Sequence, residues 1–101
     1  MTITEFLLAR IREDEVEADI HAGAEYYVDG AWPEGLAARV LAECAAKRAI
    51  IHRYIYERDE PSYTREDADR SGGAEVALEM ALYDLAAVYK DHPGYRSEWA
   101  L

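Results

Sequence analysis

Much of what usually stabilises or addresses a small protein is missing from this chain. Of its 101 residues only one, Cys44, is a cysteine. No intramolecular disulfide can form, and nothing points to an oxidising compartment. No apolar run approaches the roughly 20 residues needed to span a bilayer. The opening MTITEFLLARIRED has no basic region ahead of its short apolar run and no small-residue cleavage site, so it does not read as a signal peptide. Positive charge is also scarce. Eleven Lys and Arg face 21 Asp and Glu, for a net charge of −10. That excess repels phosphate backbones and anionic lipid, which argues against general nucleic-acid or membrane-surface binding. No Gly-rich phosphate loop occurs, and Gly72-Gly73 reads as a flexible lead-in to a helix. No internal repeat or low-complexity segment is present. A single cytoplasmic domain over 1–101 is the expectation.

Helical periodicity fills the rest. Thr2 and Glu5 have capping-box spacing. Ile3, Leu7 and Ile11, then Val16 and Ile20, predict an amphipathic helix over about 3–20. Its second half carries Glu13, Asp14, Glu15, Glu17 and Asp19, and Arg10 is spaced to pair with Asp14. Gly23 is a stop signal. The segment to Trp32, with Tyr26, Tyr27 and the Asp29-Gly30 turn pair, reads as an aromatic loop with Trp32 tucked onto the helices.

The second helix is predicted over 33–58, with Pro33 in its first turn. Leu36, Val40, Leu41, Cys44, Ile51, Tyr54 and Ile55 form its apolar stripe. Glu60-Pro61 ends it. The polar stretch 61–73 reads as an exposed mobile loop. The third helix is predicted over 74–90, with Leu78, Leu82, Leu85, Val88 and Tyr89 as its stripe. In the tail, Tyr95 and Trp99 are four apart, and so much aromatic area is expected to dock back onto the helices. The fold class is therefore all-α: a small antiparallel three-helix bundle with an aromatic loop and a docked C-terminal tail.

Three stretches, TITEFLLARIREDE, ARVLAECAAKRAIIH and DHPGYRSEWAL, together resemble a family of small actinobacterial and actinophage proteins catalogued as a domain of unknown function, number 6221. The most specific part is Asp91-His92-Pro93 followed by Tyr95, Arg96, Glu98 and Trp99. Arg39-Val40-Leu41 and Ala46-Lys47-Arg48 support it. Many relatives carry histidine and paired cysteines between the second and third helices. This chain has neither there, which puts a metal site in that segment out of reach. The resemblance implies an actinobacterial or phage origin and no particular reaction.

Residues with chemistry are sparse. His21, His52 and His92 lie on different elements without metal-ligand spacing. Cys44 sits on an apolar stripe, where a thiol behaves as a small hydrophobe. The acidic cluster reads first as a solvated helix face, and second as a docking face for a basic partner. Lys47, Arg48, Arg53 and Arg39 on the middle helix are the expected counter-charges. Tyr54 and Tyr56, about 200° apart on a helix, cannot share a face, so one of them is exposed or part of an interface. The expected function is that of a non-enzymatic interaction factor needing no cofactor, with a protein partner or a second copy meeting Glu13, Asp14, Glu17, Tyr54, Tyr56 or Trp99. Two rivals stand beside it: a metal-binding or hydrolytic protein using His52 or His92 with carboxylates, and a purely structural homodimer.

Overall fold

Three helices follow one another in the computed structural model: α1 (Ile3–Ala22), α2 (Leu36–Asp59) and α3 (Arg65–Ala86). Two single 3-10 turns, Ala87–Tyr89 and Ser97–Trp99, follow them among the described residues. The structure describes residues 1–22, 32–60 and 65–100, with side chains described outside 65–71. No strand occurs among the described residues. The helices form an antiparallel three-helix bundle in which α2 packs on both neighbours, and α1 and α3 touch each other less.

The start of α1 follows from two side chains. The Glu5 amide donates to Thr2 Oγ1 at 3.2 Å, and the Thr2 amide donates to Glu5 Oε1 at 3.1 Å. The reciprocal cap satisfies two amides that the first turn leaves open. From there Phe6, Leu7, Ile11 and Ala18 face the core. Val16 and Ile20, expected on that face, are exposed instead. At 100° per residue, Ala18 falls about 20° from Ile11 and Val16 about 140° away. Geometry thus selects the smaller residue, and the two larger ones lie outside.

Pro33 does not enter α2. It opens a turn, closed by the Leu36 amide donating to the Pro33 carbonyl at 3.1 Å, and the helix starts after Gly35. Gly35 has φ +85°, a left-handed conformation that no residue inside a right-handed helix can hold. Cys44, Ile51 and Tyr54 are the buried residues of α2. Glu60 is extended at φ −72° and ψ 127°, ending the helix immediately before Pro61.

The third helix is longer than its apolar pattern. It starts at Arg65 rather than near 74 and runs through Gly72-Gly73, so the expected mobile loop is helix over 65–73. The remainder of that loop, 61–64, and most of the aromatic loop lie outside the described residues. Helix-favouring residues on both sides carry the backbone through the glycines, at a cost of about 1 kcal/mol each relative to alanine. Its core residues are Leu82 and Ala86, with Leu78, Leu85 and Tyr89 packed alongside. Val88, expected in the stripe, is 66% exposed. It lies six positions past Leu82, about 240° round the axis, and the chain there has tightened to a 3-10 turn.

The radius of gyration is 16.9 Å, against about 13 Å for a compact chain of 100 residues.

Candidate functional site

The only phenylalanine in the chain is the centre of the tail's docking site. Phe6 is fully buried. Its ring centroid lies 6.2 Å from Tyr89, 5.6 Å from His92, 6.3 Å from Tyr95 and 5.0 Å from Trp99. Three of these contacts are edge-to-face, the arrangement that sets a positive ring edge against a negative face. Arg10 covers the same ring, its guanidinium carbon 5.3 Å from the centroid. The tail is also held at its ends. Arg96 donates to the Met1 carbonyl at 3.4 Å, and its guanidinium pairs with Glu98 at 2.6 Å. Gly94 permits the close turn over Phe6. A methyl group there would lie 3.2 Å from His92 Nδ1 and 3.4 Å from the Phe6 ring.

His92 is committed within this cluster. Its Nδ1 accepts from the Gly94 amide at 2.8 Å, and Arg10 Nη1 approaches both ring nitrogens. A guanidinium is a poor neighbour for a metal cation. His52 is exposed on α2. His21 stacks on Trp32, with centroids 4.6 Å apart and planes at 9°. This contact puts Trp32 on the end of α1, as expected. Among the described residues, no three or more His, Cys, Asp or Glu side chains are gathered so as to hold a metal.

Next to the aromatic cluster runs a polar chain. Lys47 Nζ donates to the Tyr89 hydroxyl at 3.3 Å, and that hydroxyl donates to Asp14 Oδ2 at 2.8 Å. Lys47 also lies 5.4 Å from the Tyr89 ring centroid. Burial first, then the bond to Asp14, pushes the Tyr89 phenol far above its usual range. One helical step along, Arg48 grips Glu15 with two bonds, at 3.1 and 2.6 Å. The Arg48 hydrogen bonds hold the Glu15 carboxyl below its ordinary value. Cys44 is buried, its thiol 3.9 Å from the Ile11 carbonyl, and burial pushes the thiol up. A buried thiol with a raised pKa is a weak nucleophile.

The expected pairing of middle-helix cations with the acidic cluster is thus realised by Arg48 and, through Tyr89, by Lys47. Arg39 pairs instead with Glu43 on its own helix at 3.1 Å. Arg10 reaches Glu13, at 2.9 Å, rather than Asp14, because Asp14 is turned toward Tyr89.

The candidate partner-binding residues divide. Tyr54 and Trp99 are core, at 9% and 6% exposure, and offer little area to another molecule. Arg58 further covers the Tyr54 ring, at 5.5 Å. Asp14 is half-buried and bonded. Glu13, Glu17 and Tyr56 remain at the surface. Sequence reasoning missed their neighbours. Glu13, Val16, Glu17 and Ile20 follow i, i+3, i+4, i+7 spacing and form one outer stripe of α1. Its signal was that same spacing, read from Glu13 instead of Ile3. A second surface feature is a groove of about 530 Å³ between α3 and the docked tail, with Tyr83, Tyr95 and Trp99 in its walls and Asp84, Lys90 and Ser97 around them.

The three stretches that carry the resemblance meet in this region: the first supplies Phe6 and Arg10, the second Lys47 and Arg48, the third His92, Tyr95 and Trp99. A family model of unknown function, DUF6221, matches residues 1–101. The chain belongs to the DUF6221 family. No curated protein and no solved structure gave a match to it. In this DUF6221 chain, the terminal signature is therefore an element of packing: its rings close over Phe6.

Proposed function

We propose that this DUF6221 protein is a non-enzymatic accessory factor of the cytoplasm, of actinobacterial or actinophage origin, that docks a basic amphipathic segment of a protein partner on the outer face of α1. The observation that carries this reading is the stripe Glu13, Val16, Glu17, Ile20. Val16 is 43% and Ile20 62% exposed, and the Glu13 and Glu17 side chains are 63% and 60% exposed. Apolar side chains held between carboxylates suit an occupant whose own apolar residues are flanked by Lys or Arg. The net charge of −10 attracts such a segment and repels nucleic acid. Among the described residues no helix is long and apolar enough to cross a membrane.

Affinity capture from an actinobacterial lysate tests this, with Glu13→Lys/Glu17→Lys as control. A partner retained by the wild type and lost by the control supports the reading. Equal capture by both removes the docking face.

A second reading, self-association, is favoured by one observation. Val76 and Met80 stand four apart on α3 and are 58% and 52% exposed. Light scattering at two concentrations decides it, because a mass that stays at the 11.4 kDa monomer value at both excludes a homodimer held on that face.

A further inference from the structure

The groove beside the docked tail is separate from the α1 stripe and has a chemistry of its own. Its aromatic walls are Tyr83 and Tyr95, together with the small part of Trp99 that remains exposed. Tyr95 and Trp99 meet edge-to-face, with centroids 5.6 Å apart and planes at 78°. Tyr83 is fixed by donating its hydroxyl hydrogen to Glu79 Oε1 at 3.0 Å. Asp84 lines the opening. It is the lining carboxylate and Lys90 the lining cation, while Glu98 is paired with Arg96 and Glu79 with the Tyr83 hydroxyl. Lys90 is exposed at the rim, and its flexible stem lets the ammonium swing into water.

Aromatic faces carry negative potential and attract cations that shed water readily. The Asp84 carboxylate at the opening adds to that potential. A volume of about 530 Å³ falls within the range of small-molecule sites. We propose that this groove binds a small organic cation, an alkylammonium or quaternary ammonium group on an apolar stem. The cationic head faces the rings beside Asp84, and the stem lies along Ala87 and Ala100. A bare metal ion does not fit this site, because Asp84 is its one lining carboxylate and no three His, Cys, Asp or Glu side chains gather to hold one among the described residues.

The test uses the full chain with Trp32→Phe, so that the single indole N–H resonance belongs to Trp99. It is titrated with phenylpropyl-trimethylammonium and, separately, with 4-phenylbutyrate, which offers a similar stem and the opposite charge. The expected result is a saturable shift of the Trp99 indole with the cation and none with the carboxylate. Asp84→Asn should weaken the cation about two- to fivefold, as loss of one exposed charge contact does. Lys90→Met should tighten it. Both substitutions are at exposed positions, so the fold is retained. No saturable shift with the cation overturns the proposal. So does preference for the carboxylate with loss on Lys90→Met, which would make the groove an anion site.

Discussion

Replacing Phe6 tests how the tail is held. Its ring is fully buried and has four aromatic neighbours within 6.3 Å. Truncating a buried phenylalanine to alanine costs about 3–5 kcal/mol. Aromatic pairs contribute about 0.5–1.5 kcal/mol each beyond burial. Phe6→Ala should therefore lie at the upper part of that range, and Phe6→Leu, which keeps most of the burial but none of the ring geometry, should cost about 2 kcal/mol. Small domains have about 5–15 kcal/mol in total, so the alanine variant keeps only a fraction of its stability. At about 4–8 °C per kcal/mol, the leucine variant should melt roughly 8–16 °C lower. Urea unfolding followed by far-UV circular dichroism gives the energies. Trp99 fluorescence in a Trp32→Phe background reports the tail. In Phe6→Ala the Trp99 emission should shift to the red under conditions where the helical signal persists. A cost below about 1 kcal/mol for Phe6→Ala, or a Trp99 spectrum unchanged from wild type, would refute the placement of Phe6 at the centre of the tail's docking site.

Other expectations follow from single contacts. Gly35→Ala places a Cβ in a left-handed conformation and should cost about 1–2 kcal/mol by thermal melting; no loss would mean that the α2 start is built differently. Gly73→Ala points a methyl into open space within a right-handed helix. It should raise stability by about 0.5–1 kcal/mol and increase helical ellipticity; a loss would contradict helix at that position. The Glu15 carboxyl is held below its ordinary value by Arg48. Its contribution is then fully present above the unfolded carboxyl pKa and disappears as pH falls through the lower folded value. Arg48→Met should cost about 0.5–1 kcal/mol at pH 7 and close to nothing at strongly acid pH; a difference independent of pH would remove the pair as the cause.

Much of this architecture is legible in the sequence where local chemistry decides. Thr2 and Glu5 mark the start of α1 because the cap needs only neighbours in the chain. Glu60-Pro61 marks the end of α2 for the same reason. Harder were positions where a rotation of the helix or a distant partner decides. Val16 and Ile20 match a hydrophobic pattern but not the face that Ile11 defines, and only Ala18 keeps that face. Gly72-Gly73 reads as a break because glycine is a poor helix former, yet the helix formers on either side outweigh it. Pro33 suggests a first helical turn, but the left-handed Gly35 two residues later forbids one. The two large rings of the tail predict that it docks, whereas nothing in periodicity selects Phe6 as the receiving side chain. Likewise the docking candidates Tyr54 and Trp99 carry large apolar area, and that same area draws them into the core.

The docking of a basic partner on α1 is tested most directly by mapping where a basic amphipathic helical peptide binds. Amide chemical shifts of the isotope-labelled chain would be followed during titration of such a peptide, for the wild type and for Val16→Ser/Ile20→Ser. Shifts concentrated over residues 13–20, with affinity reduced about fivefold or more when the two apolar side chains are removed, are the predicted result. Binding unaffected by that change, or shifts spread over all the acidic surfaces, would show a diffuse attraction of opposite charges and contradict a docking site on α1.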